Sequence, residues 1–474
     1  MHCSALLAVL LVPAPQEPPT SRAPRPTVHS VCDLSQEFTF YMDGRFHRQY
    51  LAGVGRDARN WGSLARLDLS NANLLVLTGG DARIPYGAEA MTHIGRFVAA
   101  GGTVLLMADG GATMPPGAAL AEHLGGKLTA QRATPPLLRV AEPGQTGAQV
   151  EFRGGTVLDL DPRWQVLVRD HEQRPVLAQR REQRGTILLG SRGLFGARPD
   201  ASDPINAAWI TPLLVQLASQ RPVDPGAPHR DTFVEHTREV GPLTLEFHDG
   251  TAPFADQVAA EYLAVRPHLV AITGVEPAPG MITRMLILPT GGGGFSSGER
   301  IAIGAWWGDY PHHRYPMVEL IAHEAGHSWV LPAPEPLWNE PIATYLGIQV
   351  GRRLGMAEAD RTLAQQIAAG RRHDPDFTRV NPLASDAPRD LVWGKSFFVF
   401  EELERRHGPG ALAQYFRCKR TALQPGRAGY SMDDCVAVWS RAVGTDLFPW
   451  FRGLAFDVDP TRVRDLAPDT RPAR

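Results

Sequence analysis

Two short, strongly apolar runs constrain the fold most. "NLLVLT" (residues 73–78) and "TVLLMAD" (103–109) lack polar alternation, so each reads as a strand buried on both faces. Between them, "GAEAMTHIGRFVAAGG" (87–102) has helical spacing and ends at glycines. Strand, helix and strand with short links form a βαβ unit, which implies a parallel sheet covered on both faces. "WQVLVRD" (164–170) and "GTILLGS" (185–191) add strands, and "INAAWITPLLVQLAS" (205–219) adds a closing helix. An α/β domain is expected over residues 29–222.

The chain has 474 residues, more than the roughly 250–300 that one hydrophobic core usually serves. "RPVDPGAPHRD" (221–231) is polar and Pro-rich and reads as a linker. A second domain is expected over 232–460, with a tail at 461–474. "PLTLEFHDG" and "RMLILPT" read as strands there, with "ADQVAAEYLAVRPHL" as a helix between them, and from Met317 the pattern is mostly helical. The expected class is α+β, mainly helical.

With 43% hydrophobic and 21% charged residues, the composition is that of a globular protein. A net charge of -2 lacks the basic excess of a nucleic-acid binder. The only lysines are Lys127, Lys395 and Lys419, a skew we attribute to a GC-rich genome. The apolar run at 5–12 is far shorter than the ~20 residues a membrane-spanning helix needs. Followed by a Pro-rich stretch, it fits the h-region of a signal peptide, although it has no basic n-region. Residues 1–28 are therefore expected to be an export segment and linker, placing the protein in a bacterial periplasm or outside the cell; a disordered tail is the alternative. No later stretch is expected to span a membrane. The four cysteines contain no CxxC, which argues against a cysteine zinc site. Cys418 and Cys435 are available to pair, but spacing alone does not set a pairing.

"LIAHEAGHSWV" (320–330) carries the chemistry. Residues i and i+4 share a helix face, so His323 and His327 would project together and can grip one metal ion. Glu324 lies about 100° round the helix, where it suits a general base acting on metal-activated water. A structural alternative is a surface helix whose histidines and glutamate simply pair. Zinc needs a third protein ligand. The metzincin position holds Ala333, so that class is out. Glu340, in "PLWNEPIATYLG" (336–347), sits at the start of a second helical pattern, where Pro341 suits a first turn. Glu335, in the Pro-rich loop, is a rival carboxylate.

The first half of this pattern resembles the flavodoxin-like fold of class I glutamine amidotransferases, over roughly 30–222. That family places a cysteine nucleophile on a tight turn after a strand; the corresponding turn here is "ADGGAT" (108–113), without cysteine. Asp109 is a turn residue or a ligand there, and the domain is expected to be a non-catalytic scaffold or recognition module. The second half, through "HEAGH" and "WNEPIATYLG", resembles gluzincin peptidases of the aminopeptidase N type. The resemblance implies His323, His327 and Glu340 as ligands of one zinc ion and Glu324 as the catalytic base. It extends to "WGKSFFVFEELERRHGPGALAQYF" (393–416), like a helix pair after the active site, and to "SMDDCVAVWSRAVGTDLFPWF" (431–451). The spacer between His327 and Glu340 is 12 residues, shorter than in aminopeptidase N relatives and closer to enhancin-like, mucin-directed metallopeptidases.

Substrate contacts are expected from several places. Gluzincins pair an edge strand with the substrate backbone. The glycine run in "PTGGGGFSSGERIAIGAWWGD" (289–309) makes Gly292 and Gly293 candidates, with "ERIAIGAWW" as the strand or a flexible hairpin as the alternative. Trp306 and Trp307 line a pocket or fill the core. Where aminopeptidase N relatives place an oxyanion-stabilising tyrosine, this chain has Trp393, whose indole lacks an acidic hydroxyl. Tyr430, Tyr345, Tyr415, His312 and His313 are candidates for that role. The expected function is zinc-dependent hydrolysis of a peptide or protein, including glycoprotein, substrate. The alternative is a catalytically impaired metallopeptidase-like protein that binds peptides or glycoproteins.

Overall fold

The computed structural model describes residues 28–35, 46–78, 86–109, 115–140, 147–195, 204–232, 234–288, 293–304, 310–329, 335–423, 429–464 and 466–467. The export segment expected at 1–28 lies outside the described residues except for Val28, as do Gly292, Trp306 and Trp307.

The expected βαβ unit is present. The two apolar runs form β3 and β4 of a series that begins β1 (Val28–Asp33), β2 (Gly55–Asn60), β3 (Leu74–Thr78), α1 (Ala88–Ala99) and β4 (Thr103–Met107). β3 and β4 are parallel, with Leu74 opposite Thr103 and Thr78 opposite Met107. Leu74 and Val76 face one hydrophobic cluster and Leu75 and Leu77 the other, as strand alternation requires. The domain continues through α2 (Pro115–His123), β5 (Gly126–Arg132), β6 (Leu137–Arg139), β7 (Gln149–Val150), β8 (Thr156–Leu160), β9 (Gln165–Arg169), β10 (Pro175–Glu182), β11 (Gly185–Gly190) and α3 (Pro204–Ala218).

The sheet is mixed, which corrects the expectation of a parallel one. Its order is β2-β1-β3-β4-β11-β10-β9-β6-β7. β11 runs parallel to β4, but β10 and β11 are joined by the two-residue turn Gln183–Arg184, and so short a link can only make an antiparallel hairpin. The Pro-rich segment at 221–231 lies against this domain rather than hanging free. His229 Nε2 is 2.8 Å from the Ser30 carbonyl, Arg59 pairs with Asp231 at 2.6 Å, and Thr232 bridges to Asn60.

The second domain opens with β12 (His236–Val240), β13 (Leu243–Phe247), α4 (Ala252–Thr273), β14 (Arg284–Leu288), β15 (Gly294–Ser296) and β16 (Arg300–Gly304). These strands form a sheet ordered β12-β13-β14-β16-β15. Met285, Ile287, Ile301 and Ile303 face the helical core, while Leu286, Leu288 and Ala302 on the other face belong to a cluster shared with Val28, Phe46 and Trp61 of the first domain. The rest is helical, as expected from Met317 on: α5 (Tyr315–Trp329), α6 (Asn339–Arg353), α7 (Ala357–His373), α8 (Arg389–His407), α9 (Ala411–Ala422), α10 (Met432–Val443) and α11 (Phe448–Gly453). α10 starts at a Ser431–Asp434 capping box and stops at Gly444, whose φ of 71° suits glycine. Among the described residues, no helix is long and apolar enough to cross a membrane.

Two of the three lysines, Lys395 and Lys419, are fully buried in ion pairs with Asp374 and Glu335. Cys435 keeps a buried thiol 3.3 Å from the Tyr415 hydroxyl, so no disulfide joins it to Cys418.

Candidate metal centre

α5 and α6 build the centre through matched stripes one helical turn apart. α5 carries Glu319, His323 and His327; α6 carries Glu340, Thr344 and Gly347. The helices approach closely because Gly347 has no side chain: a Cβ there would lie 2.8 Å from the Glu319 carbonyl oxygen. That approach brings Thr344 to His323 and Glu340 to both histidines.

His323 and His327 aim Nε2 atoms at one point. These atoms are 3.1 Å apart, and each lies 3.4 Å from a different oxygen of Glu340. Tetrahedral zinc with ligand bonds of ~2.0–2.1 Å sets its ligand atoms about 3.3 Å apart, so the donor set and its spacing fit that ion. The other ring nitrogens are held from behind. His323 Nδ1 is 2.9 Å from Thr344 Oγ1, and His327 Nδ1 is 3.2 Å from the Asn339 side-chain amide. Such outer contacts orient imidazoles toward a metal. Glu340 lies in the first turn of α6, where the helix dipole favours its negative charge.

The titratable groups of the site shift in different directions. Contact with His323, and then His327 and Arg389, holds the Glu340 carboxyl below its ordinary value. Burial lowers His327, with His323 adding to the effect. Burial also opposes charge on His323, but Glu340, Glu324 and Glu319 outweigh it and raise the imidazole. Burial raises Glu324 to about 7, and a dication nearby would draw it down again.

The three donors and Glu324 lie in a cleft of about 490 Å³ whose opposite wall is β15 and the turn after it. β15 is the edge of its sheet. The expected strand at "ERIAIGAWW" is present as β16, but it is interior; the edge is its antiparallel neighbour. Gly293 accepts from Gly304 N–H and Ser297 donates to the Arg300 carbonyl, so Phe295 belongs to the same set of hydrogen-bonded pairs. The backbone groups of Gly294 and Ser296 therefore point away from the sheet. Gly294 packs over the candidate base: a Cβ there would lie 3.0 Å from Glu324 Oε1 and 2.3 Å from the Ala302 carbonyl oxygen. Ser296 Oγ is 2.5 Å from Ser328 Oγ, which ties the strand to α5.

The other sequence candidates do not line the cleft. Gly293 adjoins β15 with a φ of 82°. Trp393 packs on α8 against Phe397 and under Arg389, and does not line the cleft. Tyr430 is buried, 3.0 Å from Tyr415, whose hydroxyl donates to Glu335 at 2.6 Å. Tyr345 donates to Glu401. His312 and His313 are exposed in the turn before α5. Glu335 is held by Lys419 and Tyr415, so the rival carboxylate is not directed at the histidines. Sequence reasoning missed Thr344 and Asn339; their signal was position, a turn from Glu340 and beside it. One other described group, Glu235, His236 and Asp249, has metal-ligand spacing. It is already occupied by Arg66 on Asp249 and by the Ser63 N–H on Glu235.

No protein-family model matches the sequence, and no curated protein matches it. Among solved structures, a cytoplasmic protein from Salmonella typhimurium is 11% identical over 39% of this chain and 97% of its own, with a TM-score of 0.30. A ThuA-like protein from Parabacteroides merdae is 13% identical over 44% of this chain and 95% of its own, with a TM-score of 0.29. A second ThuA-like protein, from Bacteroides uniformis, is 9% identical over 42% of this chain and 95% of its own, with a TM-score of 0.26. Likenesses of this size assign neither a family nor an activity.

Proposed function

We propose that the chain is a zinc-dependent peptidase of gluzincin type, with an amidotransferase-like first domain that takes no part in bond cleavage. The carrying observation is the convergence of three donor atoms beside a buried glutamate, under an edge strand with outward-facing backbone groups. His323, His327 and Glu340 would hold the ion. When bound, zinc supplies Lewis acidity, which polarises a peptide carbonyl and acidifies water.

The chain's own groups do the rest. Gly294 and Ser296 would pair with the backbone of an extended peptide, adding a strand to the sheet. Glu324 would take a proton on its carboxylate from the attacking water and pass it to the leaving amine. The substrate in this reading is a peptide or protein, including a glycoprotein. Export to a periplasm or beyond is part of the same reading.

The deciding experiment is elemental mass spectrometry of the purified protein beside Glu340→Ala, followed by a peptide-cleavage screen. One zinc per chain, lost in the variant, is the expected result; no zinc in either protein ends the reading. A second reading, a metal-bearing protein that binds peptides without cutting them, draws on Trp393, Tyr345, Tyr415 and Tyr430, none of which lines the cleft. Under that reading, peptide binding persists while no peptide is cleaved at any zinc loading.

A further inference from the structure

Trp61 follows β2 at the C-terminal edge of the first sheet and is 4% exposed. Its ring lies 5.5 Å from that of Phe295, with the planes inclined at 47°. Phe295 is the middle residue of β15 and borders the cleft. Alternation along the strand points Phe295 away from α5, whereas Gly294 and Ser296 face Glu324 and Ser328. β15 is only three residues long and is paired on one side. So short an edge has few ladder hydrogen bonds to hold it, and its side chains must fix its position. Ser296 does so on the α5 side. On the other side Phe295 packs on a buried cluster and meets the ring of Trp61.

Trp61 is itself anchored from both domains. Its backbone N–H donates to the Thr232 carbonyl at 2.8 Å. Its neighbour Asn60 donates to the buried Asp33 at 2.7 Å. Two residues on, the Ser63 N–H donates to Glu235 at 2.9 Å, and Arg66 pairs with Asp249 at 2.7 Å.

We propose that Trp61 is a positioning residue of the cleft: by bracing Phe295 from the first domain, it holds β15 where the Gly294 and Ser296 backbones can receive an extended chain. The first domain is then a working part of a cleft whose reactive groups all belong to the second. The catalytic consequence rests on the peptidase reading; the bracing itself does not.

The test uses the full-length, zinc-loaded protein and its Trp61→Ala and Trp61→Phe variants. Amide hydrogen exchange over residues 293–298 is measured beside steady-state cleavage of a long peptide and of a blocked dipeptide too short to lie along β15. Trp61→Ala should keep its zinc and exchange faster at 293–298. Its KM for the long peptide should rise about tenfold with kcat nearly unchanged, and the dipeptide should be little affected. Trp61→Phe should restore most of the loss. Unchanged exchange and KM in folded Trp61→Ala overturn the proposal, as does an equal loss on both substrates. If Trp61→Ala does not fold, Phe295→Leu removes the same ring contact from the cleft side and must show the same faster exchange. If the wild type cleaves nothing, the peptidase reading falls alone, and the exchange still decides the bracing.

Discussion

Glu335 and Glu340 stand five positions apart, one before α6 and one in its first turn, and meet opposite electrostatic fates. Glu335 is 2% exposed and is saturated from within: Lys419 donates to one oxygen and Tyr415 to the other. Tyr415 in turn stacks on Trp439 and touches Tyr430 and Cys435, so the carboxylate is sealed among α9 and α10. The Glu340 side chain is 57% exposed and faces two imidazoles. The first charge is neutralised inside the protein and pins the loop. The second stands in the first turn of α6, over a point where the donor atoms fit an ion. A carboxylate next to a candidate site is thus not a ligand by proximity; its partners decide what it does.

The predictions press on that contrast. The largest effect is expected at neither glutamate but at Glu324. Glu324→Gln should cut peptide hydrolysis by about 10²–10⁴-fold while zinc content stays at one per chain. Turnover near wild type in that variant would remove Glu324 from the mechanism.

Next comes the sealed glutamate. Lys419→Met leaves Glu335 buried without its cation, which should cost about 3–5 kcal/mol in urea unfolding while zinc is still bound. Loss of zinc with little loss of stability would reverse the roles given to Glu335 and Glu340. For the open glutamate the signs are exchanged. Zinc at a thousandfold excess over its Kd should stabilise the wild type by about 4.1 kcal/mol, and chelation should remove that gain. Glu340→Ala should show little of the zinc-induced rise in Tm by calorimetry; a rise as large as in the wild type would mean the ion does not need Glu340.

The smallest effect belongs to a part-buried glutamate of α8. Hydrogen bonding from Arg405, with Arg406, lowers the Glu402 carboxyl from 4.5 to about 2. Because the folded value is the lower one, the stabilisation is complete above about pH 4.5 and disappears as pH falls through about 2. Its arginine partners are 69% and 44% exposed, so solvent screening limits the effect to at most about 1 kcal/mol. Glu402→Gln should lose that amount at pH 7 and match the wild type near pH 2. A stability gap that persists at low pH would point to packing rather than charge.

Much of the architecture was legible because it rests on local patterns. The runs that became β3 and β4 are strongly apolar, so their burial on both faces could be read directly. The antiparallel half of the sheet, from β10 to β7, was not foreseen, because a βαβ unit dictates only its own pairing. In the parallel half, β2 reads "GRDARN", which carries no hydrophobic alternation, and it forms because β1 pairs with it. β15 reads "GFS", too short for any pattern, and exists only as the partner of β16. The scarcity of lysine hid its own meaning: Lys395 and Lys419 are where this chain buries a flexible ammonium in an ion pair.

By itself the sequence determined that His323 and His327 share a helix face, that Glu340 begins the next helix, and that a βαβ unit lies upstream. Each follows from periodicity, and periodicity acts within a few residues. Only the tertiary structure decided which carboxylate faces the histidines, which strand is the edge, and which domain reaches that edge. Glu335 and Glu340 are equally acidic in the sequence; the difference arises from Lys419, more than 80 positions away. Trp61 and Phe295 likewise meet only because two hydrophobic faces, Leu286 and Ala302 on one and Val28 and Phe46 on the other, exclude water together.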